Sequence, residues 1–424
     1  VRGGRRPPNR FRSQRNSEIR EEPVDKQDLQ WMISVDDHII EPPNLWVDRA
    51  SAADRDRVPR VERIDGIDTW IYDQARASVL GILVAAHQRP AEYSPLPVNY
   101  DEMPRAYFDP VARIPDMNED HVIAGLNFPF FPRFCGQMFA HLGDRDLGLK
   151  CVRAYNDFVI DEWCAAAPGR YIPMIIIPLW DTRLAVEETL RCAGKGAKAI
   201  AFSENLHPLG FPSIHSGAWD DFFAAVNETK MPLCTHIGSS SVSPTTSPDA
   251  PFGVQAVNIN LNLANSTTDW LFSGKLQKYP DLKIVLAEGG IGWIPYLIER
   301  AEHVATDYQY LRANNWAVDP ATMRLTPVPT DPEVFPESPR QLFRDHMYGC
   351  FIEDDFGAAN LDAIGVDNVM IETDYPHTDS LWPNSLLAAH KALDGRSDLD
   401  KYKVLQGNAR RVFDFEPAPY PTLK

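Results

Sequence analysis

WMISVDDHIIE, residues 31–41, passes from an apolar, partly β-branched run straight into a cluster of acidic and imidazole side chains. The first half reads as a buried strand. Asp36 and His38, two residues apart at its end, project to the same side of that strand. Seven further runs repeat the pattern: VIAGLNF (122–128), YIPMIIIP (171–178), AKAIAFS (197–203), MPLCTHI (231–237), LKIVLAE (282–288), MYGCFIE (347–353) and NVMIETD (368–374). Stretches of helical period separate them, at 147–166, 182–193, 218–230, 270–278, 294–308 and 385–393. Strands alternating with helices predict a parallel sheet wound in one hand, and eight such strands close a (β/α)8 TIM barrel of the α/β class.

Two stretches break the alternation. Residues 44–115, with PAEYSPLPVNYDEMPRAYFDP (90–110), follow strand 1 and are read as a lid or substrate wall over the active-site face, not a separate domain. A second irregular insertion spans 315–338. Residues 28–424 are then one barrel domain. Residues 1–27 form a basic arm, predicted to be disordered; its first 20 residues hold seven arginines and no apolar segment of a secretory signal.

The 424 residues are 44% hydrophobic and carry a formal charge of −17. That balance opposes a nucleic-acid or anionic-membrane partner and favours a small-molecule substrate. No apolar run of about 18 residues is present to span a bilayer. Six cysteines lie far apart without a CxxC pair, the pattern of reduced core thiols in a cytoplasmic protein. The 36 prolines and 10 tryptophans point to stiffened loops and large apolar surfaces, some at a subunit interface. The expected assembly is a homo-oligomer or a complex with related subunits.

The polar residues fall where the apolar runs stop: DDHIIE (36–41), SEN (203–205), THIGSSS (235–241), AEGGIGW (287–293) and ETDYPH (372–377). In a barrel these strand ends converge on one mouth. Singly, a DxH triplet is turn chemistry, His236 a core histidine and Asp374 a helix N-cap. Jointly, ligand-type residues on strands 1, 5, 6 and 8 define a metal site. The predicted ligands are Asp36, His38, His236, Glu288, Asp374, His377, Glu41 and Glu204, with Glu288, Asp374 and His215 as candidate catalytic groups. His207 and Arg133 are loop residues able to orient substrate, Arg133 through a carboxylate. GGIG (289–292) lacks the lysine of a phosphate loop and reads as a strand–helix turn.

VDDHIIEPPNLW, CTHIGSSS, LAEGGIGWIPYLIERAEHV, ETDYPH and GNARRVF resemble the amidohydrolase superfamily, in the branch holding the aminocarboxymuconate-semialdehyde and resorcylate decarboxylases. The resemblance spans about Ile33 to Phe413. It implies metal ligands at Asp36, His38, His236 and Asp374, and no nucleotide cofactor. Many relatives have HxH on strand 1 and histidine on strand 6, where this chain has Asp36 and Glu288. The resulting set is richer in carboxylates than one hydrolytic zinc requires. It suits two Fe ions or an Fe/Mn pair, a pattern similar to nonheme di-metal monooxygenases of the superfamily. The reading placed first is therefore a di-iron monooxygenase hydroxylating a small organic substrate with O2, served by a separate reductase. The alternative is a one-metal hydrolase or nonoxidative decarboxylase, with zinc and with Asp374 or Glu288 as general acid/base. A noncatalytic partner subunit is a third reading.

Overall fold

A computed structural model describes residues 24–141, 144–308, 316–319, 321–327 and 335–421. The first 23 residues of the basic arm and part of the second insertion lie outside the described residues.

Eight parallel strands run β1 (Met32–Ile39), β2 (Val122–Pro129), β3 (Tyr171–Ile172 and Met174–Ile175), β4 (Ala199–Ser203), β5 (Leu233–His236), β6 (Ile284–Ala287), β7 (Met347–Phe351) and β8 (Val369–Ile371). Each predicted run supplies one strand. Neighbours pair in chain order from β1 to β8, with one break inside β3. Pro173 causes it: a proline has no N–H for the ladder, and its carbonyl instead accepts from Lys198 N and Ala199 N. The ring closes just beyond β8, where Asp374 N donates to Asp36 O at 2.8 Å and Thr373 N to Ser34 Oγ at 3.0 Å.

Every residue of these strands is buried. Strands buried on both faces read as continuous apolar runs, which is why they were visible in the sequence. The connecting helices include Arg145–Phe158, Thr182–Ala193, Asp220–Thr229, Leu261–Leu271 and Ile294–Asp307. Asp144 and Asp181 start the first two by accepting from backbone N–H groups left free in the first turn. All six cysteines are buried and unpaired. Among the described residues no helix is long and apolar enough to cross a membrane.

The 44–115 insertion contains an antiparallel three-stranded sheet, Arg60–Ile64, Ile67–Tyr72 and Ala75–Ala77. Its Trp70 is fully buried, stacking on Phe131 (4.8 Å between centroids) and meeting Trp46 edge-on. A second apolar cluster of Val79, Val84, Met103 and Tyr107 packs on Ile40 and Tyr375 of the barrel. Ala85 N and Ala86 N both donate to Pro376 O (2.7 and 3.0 Å), and Thr378 N donates to Ile82 O. The insertion thus grips the loop that follows β8.

Candidate metal centre

The C-terminal ends of β1, β5, β6 and β8 and the turn after β8 bring six side chains together. His38 Nε2 lies 3.0 Å from Asp374 Oδ1 and 3.4 Å from Asp36 Oδ1. His236 Nε2 lies 3.0 Å from Glu288 Oε2 and 3.4 Å from Asp36 Oδ2. His377 stacks on His38 at 3.7 Å and places Nδ1 2.9 Å from Asp374 Oδ1. Glu288 and Asp374 hold left-handed backbones (φ 59° and 49°). Such strain is uncommon in residues other than glycine and concentrates at functional sites.

Donor chemistry decides what this cluster fits. Both oxygens of Asp36, both oxygens of Asp374, His38 Nε2 and His236 Nε2 are buried without a hydrogen-bond partner. Held only by ionic contacts with one another and without a hydrogen bond, these buried atoms cost several kcal/mol in total, at about 1–3 kcal/mol each. The His236 ring donates from Nδ1 to Ile237 O (2.6 Å), which leaves the Nε2 lone pair facing the carboxylates. Ligand atoms of Asp36, His38, His236 and Glu288 lie within 4.8 Å of one another, as do those of His38, Asp374 and His377, and of Glu288, Asp374 and Asp379.

Electrostatics points the same way. Burial, followed by the charges of Glu372, Asp374, Glu288 and Asp37, pushes the Asp36 pKa well up. Burial, then His377, His236 and Arg113, holds the His38 imidazole well below its ordinary value, in the neutral form that binds metals. Carboxylates crowded in this way and neutral imidazoles fit a divalent cation, which relieves both the repulsion and the lost solvation.

Not every predicted residue joins the cluster. Glu41 accepts from Phe130 N (3.0 Å) and Phe131 N (2.9 Å), pinning the start of the loop after β2. Burial raises its pKa to about 8. Glu41→Ala is expected to destabilise the fold by about 2–4 kcal/mol, since it orphans two N–H groups. Metal content per folded molecule should stay unchanged, as elemental analysis beside a denaturant melt would report. Glu204 is held by Ser240 and Asn262. His215 lies apart, its Nε2 2.6 Å from Asp269 Oδ1 on a partly exposed pair, and His207 is exposed in a short turn. Arg133 has no acidic partner among the described residues; it precedes Phe134, whose ring stacks on His236 at 4.1 Å. The GGIG turn wraps Asp354, whose Oδ2 accepts from Ile291 N and Gly292 N at 2.8 and 2.6 Å, so no phosphate is needed to fill it.

Glu372, Asp37 and Arg113 were missed. Glu372 is buried and accepts from Glu288 N (3.0 Å) with Oε2, while its Oε1 is unpartnered. Its spacing of two from Asp374 was the available signal. Asp37 faces the other way, bonding Ser34, Thr373 and Tyr375 N, and ties β1 to the end of β8. Arg113 donates from Nη2 to His38 O (2.6 Å), fixing that residue's backbone from a helix about 75 positions away.

The amidohydrolase family model matches residues 38–415. Gamma-resorcylate decarboxylase from Rhizobium sp. (strain MTP-10005) is 24% identical over 295 residues, 65% of this chain and 79% of that one. Among solved structures, an amidohydrolase from Mycobacterium avium subsp. paratuberculosis K-10 aligns with a TM-score of 0.67 and 21% identity, covering 90% of this chain and 99% of that one. A dihydroxybenzoic acid decarboxylase from Polaromonas sp. JS666, solved with manganese and the inhibitor 2-nitroresorcinol, aligns with a TM-score of 0.55 and 17% identity, covering 91% and 97%. The chain belongs to the amidohydrolase family, with the TIM-barrel fold of its enzymes. Nothing in these relatives supports the expected di-iron monooxygenase or its reductase; they agree with the decarboxylase alternative.

Proposed function

We propose that this chain is a metal-dependent, nonoxidative decarboxylase of aryl carboxylates, working with one divalent ion held by Asp36, His38, His236 and Asp374. The observation that carries the reading is the set of buried, unpartnered donor atoms on these four residues. The decarboxylases among the relatives supply the reaction, and the manganese in one of them favours that metal over the iron or zinc expected from sequence.

The ion would supply positive charge to orient the substrate's oxygens and offset negative charge that develops in the reaction. Phe134 and Phe128, against His236, offer an aromatic wall. Arg133 offers a cation to an anionic substrate, and the 44–115 insertion packs on the loop that carries His377. Glu288 is the more open of the two carboxylates in the four-residue group around Asp36, with 16% of its side chain exposed. It serves as the proton donor. Its proton goes to the ring carbon that bears the carboxylate; the C–C bond then breaks, its electron pair returns to the ring, and CO2 leaves. Solvent restores the proton to Glu288.

Manganese-loaded protein should release CO2 from gamma-resorcylate or a related ortho-hydroxybenzoate in the complete absence of oxygen and reductase, with one metal per chain. Turnover that requires oxygen, or two irons per chain in protein purified without added metal, would sink the proposal.

A further inference from the structure

Glu204 stands at the mouth without a place in this mechanism. It follows β4 directly, where the last β4 residue, Ser203, pairs in register with His236 of β5. Its side chain is almost wholly buried. All its donors fall on one oxygen: Oε1 accepts from Ser240 Oγ at 2.6 Å, Ser240 N at 3.2 Å and Asn262 Nδ2 at 3.0 Å. The other oxygen, Oε2, is equally buried and has no partner. An ionised carboxylate shares its charge over two oxygens, and burying one of them bare is costly. The asymmetry fits a neutral acid, in which Oε1 is the carbonyl and Oε2 the hydroxyl.

We infer that Glu204 is a substrate-binding residue that donates a hydrogen bond from a protonated Oε2 to an anionic oxygen of the substrate, a phenolate or carboxylate. The choice of substrate oxygen rests on the aryl carboxylate reading above; the neutral donor does not. Three features support it. Burial pushes the Glu204 pKa upward against its hydrogen bonds. Among the described residues its carboxyl group belongs to none of the groups of three or more ligand atoms that converge within 4.8 Å, which gives no support to its predicted role as a metal ligand. Ser240 and Asn262, from the loop after β5 and the helix Leu261–Leu271, fix the carboxyl plane so that Oε2 alone is left to act. A buried donor aimed at one oxygen discriminates strongly against analogues that lack it.

The test compares Glu204→Gln and Glu204→Ala in metal-loaded protein. Glutamine keeps a carbonyl for the three donors and an N–H where the hydroxyl was. Glu204→Gln should bind 2-nitroresorcinol within about threefold of the parent and retain its metal, whereas Glu204→Ala should lose about 10- to 100-fold in affinity with metal still bound. Infrared difference spectra of parent minus Glu204→Gln at pH 7 should show the C=O stretch of a protonated carboxyl, shifted when the probe binds. Loss of metal from Glu204→Gln, equal damage from both variants, or an ionised-carboxylate band instead would each overturn the inference. If the parent binds no aryl probe, the decarboxylase reading fails, while the infrared band still decides whether Glu204 is a neutral donor.

Discussion

Asp374→Asn should strip the protein of its metal and lower kcat/KM by about a thousandfold or more, equivalent to about 4 kcal/mol of transition-state stabilisation. The substitution is chosen to spare the fold. Asparagine tolerates the left-handed backbone that Asp374 adopts at φ 49°. The bond from Asp374 N to Asp36 O is made by the main chain and survives. What changes is the charge beside His38 and His377. Asp374 also repels Asp36 and Glu372, so its neutralisation should stabilise the metal-free protein while weakening the holoprotein. Elemental analysis and melting curves with and without chelator would show both effects. Full metal occupancy in Asp374→Asn would remove this residue from the ligand set.

Removing the metal should destabilise the protein, and by more at pH 8 than at pH 5. The sign follows from Asp36 and Glu372, whose pKa values in the folded chain lie well above those of ordinary carboxylates because of burial and the charges of neighbouring carboxylates. Between the ordinary carboxylate range and these raised values, the metal-free folded state binds more protons than the unfolded chain. Its stability is therefore greatest at low pH and falls as pH rises through that window. A bound cation replaces the protons, and the two compete for the same oxygens. At a free metal concentration 100-fold above Kd, the difference between holo and chelated protein should reach about 2.7 kcal/mol. Chelation that costs the same at both pH values would contradict the account of repelling carboxylates.

The barrel was legible because strands buried on both faces must be apolar throughout, and the polar residues had to sit where the strands end. The i, i+2 rule placed Asp36 with His38 and could equally have placed Glu372 with Asp374. The count of ligands was not legible. Glu41 and Glu204 have the right chemistry and the right strand ends, but Glu41 spends both oxygens, and Glu204 one, on protein donors. A residue type does not show which lone pairs are already engaged. Counting every carboxylate at the mouth is what led to the expectation of two irons, an expectation that the relatives do not support. His215 was likewise read from its loop alone, and its partner Asp269 comes from a helix 54 residues on.

The grip of the insertion on Pro376 gives the molecule a thermodynamic linkage. Ala85 and Ala86 hold the carbonyl two residues beyond Asp374 and one before His377. Any molecule whose binding shifts residues 79–87 therefore acts on the geometry of Asp374, and by reciprocity the occupied centre changes affinity for that molecule by the same factor. Substitutions in the turn at Ile82 and Ala85, far from the donors, are therefore expected to shift metal affinity, and titration of metal into such variants would measure the shift.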